Sequence, residues 1–280
     1  MHTFHTPQPV RLRVEVWEGR LDIVAAETDT TTVELIAADG DAEIAQELVD
    51  RATVEQHGND IVVELPKSKS GLFRRGHRVL VHITVPLGSS AAIETTAADV
   101  RTQGQLGDLV INSGSGDVDL ELTADLQARL GSGDLRLGAA HGTVDVKGGS
   151  SDLVFGDVAG AATILTGSGD VLLDRVGGTL KIKSGSGDVV LKEAGTGVDA
   201  MAGSGDVTLR QVAQGRVKAK TGSGDVSIAV THGTAAYLDI ASVSGDVHSK
   251  LDGSPAPQDG EPTVEIDVKT ASGDVVLQRA

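Results

Sequence analysis

Residues 167–209 read GSGDVLLDRVGGTLKIKSGSGDVVLKEAGTGVDAMAGSGDVTL, and Ser-Gly-Asp-Val recurs in this stretch at Asp170, Asp188 and Asp206. Working outward, the same marker, with Val or Leu after the Asp, places Asp117, Asp134, Asp225, Asp246 and Asp274 in phase. A degenerate Ser-Ser-Asp-Leu puts Asp152 in the series, and Ala-Ala-Asp-Val makes Asp99 an eroded first copy. From Asp99 the spacings are 18, 17, 18, 18, 18, 18, 19, 21 and 28. A period near 18 is too short for a packed pair of helices. It fits one coil of a β-solenoid.

Within each coil the apolar residues keep a phase. One and three places after the Asp come Val171 and Leu173, Val189 and Leu191, Val207 and Leu209. Alternation of this kind marks a strand with one buried face. A second pair follows ten and twelve places on: Val144 and Val146, Leu180 and Ile182, Val198 and Ala200, Val217 and Ala219. Between the pairs a small apolar residue (Ala140, Val158, Val176, Ala194, Val212) is placed to fill a corner. Each coil therefore reads as two short strands joined by two glycine-bearing turns. Gly-Ser-Gly-Asp offers two residues free to take positive φ, and an Asp able to cap amides of its own turn. One coil cannot bury its own face, so the coils must stack.

Residues 1–95 have another texture. RLRVEVWEG, RLDIVAAE, TTTVELIAA, DIVVELP and HRVLVHITVP alternate as strands, while Asp41–Arg51 reads as the one helix. Asp41 is its expected N-cap, with Ile44, Leu48 and Val49 on one stripe. A solenoid end exposes a sheet edge that invites aggregation, so this region is expected to be a β-rich cap, continuous with the coils of residues 96–280. The fold class expected is all-β: a parallel β-solenoid of about ten coils, its N-terminal cap carrying one short helix. The last stretch, Ser272–Ala280, ends just after a regular strand, which predicts an open edge guarded by Arg279 alone.

Composition limits function. The 280 residues carry 24 basic and 40 acidic side chains, a formal net charge of −16, which argues against binding nucleic acid or an anionic membrane. With no cysteine, disulfides, thiol catalysis and cysteine zinc sites are excluded. MHTFHTPQPVRLRVEV lacks the features of a secretory signal, and no apolar run is long enough for a membrane helix, so a cytoplasmic location is expected.

The opening strands that end at Trp17-Glu18-Gly19, the segment VHITVPLGSSAAIETTAADV and the GSGDV coils together resemble the DUF4097 adhesin-like β-repeat family over essentially the whole length. The resemblance implies an adhesin-like fold and, through bacterial relatives, a link to envelope stress. It brings no catalytic residues.

Three groups of side chains carry the remaining expectations. Stacking in register would put Asp117, Asp134, Asp152, Asp170, Asp188, Asp206, Asp225, Asp246 and Asp274 in one row. Charges about 5 Å apart repel by about 1 kcal/mol even in water, so something must offset the row. Turn capping is the favoured reading. A row of calcium sites is the other, although Asp follows Gly directly and occurs once per coil, unlike the calcium-binding nonapeptide. Lys147, Lys181, Lys183, Lys218 and Lys220 fall on outward positions, with Lys192 after the first strand. They read as solvated faces pairing across coils with Asp145 and Asp199, or else as a surface for an anionic polymer. The densest basic cluster, PKSKSGLFRRGHR, presents Lys67, Lys69, Arg74, Arg75 and Arg78 around Leu72 and Phe73, and is the expected partner-binding loop.

No histidine has metal-ligand spacing, no serine sits at a strand–elbow–helix, and no glycine-rich segment opens a helix. The expectation is a non-catalytic scaffold or interaction protein without metal or cofactor, its protein partner unidentified. The alternatives are a self-assembling filament and a calcium-stabilised repeat.

Overall fold

The computed structural model describes residues 1–37, 42–67, 79–251 and 261–280, with the side chains of 42–44 excepted. The fold is a parallel β-solenoid with an N-terminal β-rich cap and, among the described residues, one short helix. It divides into two compact units, Met1–Gly138 and Ala139–Ala280. Among the described residues no helix is long and apolar enough to cross a membrane.

The first unit contains β1 (His2–His5), β2 (Arg11–Ala26), β3 (Thr30–Ala37), α1 (Ala42–Asp50), β4 (Thr53–His57) and β5 (Asp60–Glu64). There follow β6 (Val79–Pro86), β7 (Ser90–Gln105), β8 (Leu109–Ser113), β9 (Val118–Thr123) and β10 (Leu126–Leu130), and β11 (Leu135–Ala140) runs across the boundary at Gly138. Where the sequence suggests two strands, residues 11–26 form one. It passes through Gly19, whose φ of 115° suits glycine, and where a Cβ would overlap the Val79 carbonyl oxygen. β2 is itself a solenoid layer. It lies parallel to β7 along one edge and to β5 and β6 along the other, so it separates β6 from β7, its neighbours in the stack and each other's neighbours in sequence. Its inward Leu12, Val14, Val16, Leu21 and Ile23 are all buried.

Beyond this layer the chain turns antiparallel: β4 covers the free edge of β5, β3 covers that of β6, and β1 covers β3. β1 and β4 are short and mostly solvent-facing, so their alternation is faint in sequence. Ala45 and Leu48 of α1 are buried; the expected N-cap, Asp41, lies outside the described residues. Across the β2–β5 register, Arg11 Nε lies 2.5 Å from Asp60 Oδ1, and this hydrogen bond, then the charge, raises the guanidinium above its ordinary pKa. β7 runs unbroken through residues 95 and 96 and pairs in parallel with β8 and β9.

The second unit contains β12 (Val144–Ser150), β13 (Leu153–Val158), β14 (Ala162–Ser168), β15 (Val171–Val176), β16 (Thr179–Ser186), β17 (Val189–Ala194) and β18 (Gly197–Ser204). After these come β19 (Val207–Val212), β20 (Gly215–Ser223), β21 (Val226–Val230), β22 (Ala235–Ser244), β23 (Val247–Ser249), β24 (Thr263–Ser272) and β25 (Val275–Arg279). Even-numbered strands β12 to β20 stack in parallel on one face, odd-numbered β13 to β21 on another. Sequence order then breaks: β24 lies between β20 and β22, and β25 between β21 and β23.

The expected open edge at Ser272–Ala280 is therefore corrected. That strand is interior, and the layer left at the edge is Ala235–Ser249. Side-chain quality explains the exchange. The coil 263–279 offers Val264, Ile266, Val268, Val275 and Leu277 to the core, all fully buried. In register with them the coil 235–249 has Ala236, Leu238, Ile240, Val247 and Ser249, a smaller and more polar set. The richer coil gains more from being covered on both sides. Arg279 does not guard an edge. Its Nη1 donates to the Thr231 and Thr234 carbonyls, at 3.2 and 2.9 Å, and holds the turn that carries the chain past the inserted layer.

Outside the coil 235–249 the inward residues of this unit are buried: Val171 and Leu173, Val189 and Leu191, Val207 and Leu209, the second pairs Val144 and Val146, Leu180 and Ile182, Val198 and Ala200, Val217 and Ala219, and the corner residues Val158, Val176, Ala194 and Val212. The two glycines of the marker serve different ends. Only the second takes positive φ, for example 126° at Gly187. The first is needed for close approach, since a Cβ on Gly185 would stand 2.5 Å from the Gly167 carbonyl oxygen of the layer beneath.

Candidate functional site

The aspartates cap between layers and not within their own turns. Asp188 donates its backbone N–H to Asp170 Oδ1 at 2.8 Å, and its own Oδ1 accepts the N–H of Asp206 at 2.8 Å. The Asp188 carbonyl accepts the N–H of Val171, so each aspartate is bonded to the layer beside it through backbone and side chain alike. The series runs from Asp152 through Asp170, Asp188, Asp206 and Asp225, then to Asp274 before Asp246, following the order of the layers. In the first unit Asp117 bonds Asp99 and Asp134 bonds Asp117 in the same way, at 3.2 and 3.0 Å. Hydrogen bonding to the charged form offsets the repulsion that the row incurs. Among the described residues no group of three or more His, Asp or Glu is placed to hold a metal ion.

Of the expected partner loop, Lys69, Leu72, Phe73, Arg74, Arg75 and Arg78 lie outside the described residues. Lys67 is described, and it is engaged: its Nζ stands 4.0 Å from the centre of the Trp17 ring. The indole Nε1 in turn donates to the Leu65 carbonyl at 2.7 Å. The lysine rows differ in part from expectation. Lys192 reaches Asp174 at 2.6 Å. Lys181 and Lys218 flank Asp199 in register, yet neither closes an ion pair with it, and among the described residues Asp199 Oδ1 is buried without a hydrogen bond.

A feature absent from the expected sites is the coil Ala235–Ser249. β22 pairs with β24 and β23 with β25, and among the described residues nothing pairs with their far edges. Leu238 and Val247 occupy inward positions, opposite buried Ile266 and Val275, but are 43% and 47% exposed because no layer covers them. On the outer side Tyr237 and Val243 are 57% and 87% exposed. Four of the seven exposed large apolar side chains among the described residues thus belong to one coil. Tyr237 also walls an open surface cavity of about 1140 Å³, whose lining includes Arg216 and Glu265, an ion pair at 3.4 Å. The sequence did carry a signal: Ser249 at an inward position, and a 28-residue spacing long enough to step back over a layer.

No curated protein matches the chain. Among solved structures it is similar to a "putative adhesin" from Parabacteroides merdae, at 10% identity and a TM-score of 0.42, covering 98% of this chain and 94% of that one. It is also similar to a "putative adhesin" from Bacteroides fragilis, at 13% identity and a TM-score of 0.34, covering 99% and 95%. A third is a "putative lipid binding protein" from Parabacteroides distasonis, at 13% identity and a TM-score of 0.34, covering 100% and 95%. The model of one family, Toastrack DUF4097, matches residues 68–278. Three quarters of the sequence lie within that match, and the chain belongs to the DUF4097 (Toastrack) family.

Proposed function

We propose that this chain is a non-catalytic interaction protein, a β-solenoid scaffold that joins a second copy of itself through the coil Ala235–Ser249. The observation that carries the reading is the uncovered edge of β22 and β23, with Leu238 and Val247 exposed at the end of the apolar core. Unpaired strand edges with apolar side chains template further pairing. What fits such an edge best is a layer with the same strand spacing and the same inward phase, which a second copy supplies. The chain between Leu251 and Glu261, DGSPAPQDG, carries no large apolar side chain to offer instead.

A contact between two like edges is isologous and closes on itself. Head-to-tail growth by parallel stacking would need a second bare parallel layer, whereas in the first unit β6 and β5 are flanked by antiparallel β3 and β4. The reading is therefore a closed pair in preference to a filament. A paired scaffold displays two copies of one outer surface, which suits an adhesin-like role.

Sedimentation velocity over a hundredfold range of concentration tests this. The wild type should pass from monomer to dimer, while Leu238→Asp and, independently, the fully outward Val243→Asp should stay monomeric. A wild type that is monomeric throughout, variants that pair as well as it does, or growth into large mixed species would each overturn the proposal.

A further inference from the structure

The outer face of the second unit carries a column whose chemistry alternates layer by layer. Lys147 stands in register with Leu165, Leu165 with Lys183, Lys183 with Met201, and Met201 with Lys220. Read along the stack, the order is cation, apolar, cation, apolar, cation. Layers are about 4.8 Å apart, so the ammonium groups recur about every 10 Å. None of these three lysines makes an ion pair among the described residues. Leu165 and Met201 are half-buried on the outward side, where the core does not need them.

Keeping like charges apart accounts for the gaps but not for what fills them. In the adjoining column the layer of Leu165 itself holds Thr163, a residue that separates charges equally well. Two places along each strand from the lysine column lie the exposed glycines 149, 167, 185, 203 and 222, which leave the surface bare. Next to them Ser150, Ser168, Ser186, Ser204 and Ser223 form a registered column of exposed hydroxyls. On the other flank Asp145, Thr163, Lys181, Asp199 and Lys218 balance two negative charges against two positive ones. The strip thus stays cationic on an acidic protein. The alternation ends at the inserted layer, where Lys269 adjoins Lys220 and pairs with Asp267 at 3.5 Å.

We propose that this strip binds a linear acidic polysaccharide in which a charged sugar alternates with a neutral one. The lysines take the carboxylates of every second sugar. Leu165 and Met201 pack under the apolar ring faces of the neutral sugars between them, and the serine column hydrogen-bonds ring hydroxyls. A polymer charged at every sugar would place half its carboxylates over Leu165 and Met201.

The test is a fluorescence-anisotropy titration of the full chain at low salt, with labelled hyaluronan oligosaccharides as the alternating polymer. Polygalacturonate fragments of equal length serve as the fully charged one. Hyaluronan should bind more tightly although it carries half the charge. The double variant Lys183→Gln, Lys220→Gln should weaken binding by about tenfold and flatten its salt dependence. Met201→Ser should weaken it severalfold without changing the salt dependence. All these substitutions lie on the outer face, and circular dichroism checks that the fold persists. Polygalacturonate binding as tightly or more tightly would overturn the proposal by reducing the strip to plain charge. So would undetectable hyaluronan binding, or a double variant that binds like the wild type.

Discussion

Replacing Asp188 by Ala removes one link of the aspartate ladder, and the geometry sets both sign and size. The Asp206 N–H loses its acceptor at 2.8 Å. A hydrogen bond to a charged group is worth about 2 kcal/mol. Against this, Asp188 no longer repels Asp170 and Asp206, each about one layer away. At about 4.8 Å in water each repulsion is about 0.9 kcal/mol before screening. At about 0.1 M salt the two together fall to about 1 kcal/mol, and near 1 M little remains.

The net cost of Asp188→Ala is thus about 1 kcal/mol at low salt and about 2 kcal/mol at high salt, compared with wild type under the same conditions. Asn keeps a neutral acceptor while removing the repulsion, so Asp188→Asn should lie within about 0.5 kcal/mol of wild type at low salt. Urea unfolding followed by circular dichroism at both salt concentrations reads these differences. An Ala variant as stable as wild type at high salt, or a cost that shrinks as salt rises, would refute the ladder as the bond between layers.

The glycines and the core give two further expectations. Gly187→Ala combines a φ of 126° with overlap of the Gly169 carbonyl oxygen and should cost about 3 kcal/mol or more, read as a fall in melting temperature. Leu173→Ala, at a fully buried position, should cost about 2–5 kcal/mol, whereas Leu172→Ala next to it on the outward side should cost under about 1 kcal/mol. Equal effects at the two leucines would mean that the inward phase is misassigned.

Much of the solenoid is legible in the sequence because its determinants are local. A two-residue alternation and a Gly-Ser-Gly-Asp turn suffice to say that Val189 and Leu191 point inward and that Asp188 sits in a row. Even the eroded Asp99 takes its place in that row. Layer order is another matter. Every coil has the same apolar phase, so nothing local distinguishes Val264 from Ala236 as the neighbour of β20. The outcome depends on comparing whole coils, and the coil with Ser249 at an inward position is displaced to the edge. The same holds for residues 11–26, where strand character is plain in the sequence but insertion between β6 and β7 is not. The exposed coil escaped notice as a site for that reason: Tyr237, Leu238, Val243 and Val247 look like any other coil until its position in the stack is known.

The inserted layers also bear on how the molecule is made. During synthesis Ala235–Ser249 emerges before residues 263–279, which must finally lie beneath it. In the interval the edge of β20 and β21 is vacant, and β22 and β23 share the phase that would let them occupy it. The nascent stack can thus close early in the wrong order, and the later, more apolar coil must displace the earlier one to reach its place. At the start of the chain the order is reversed: residues 11–26 are complete while the strands that flank them, 60–64, 79–86 and 90–105, are still to come. Winding strictly in the order of translation cannot yield this fold.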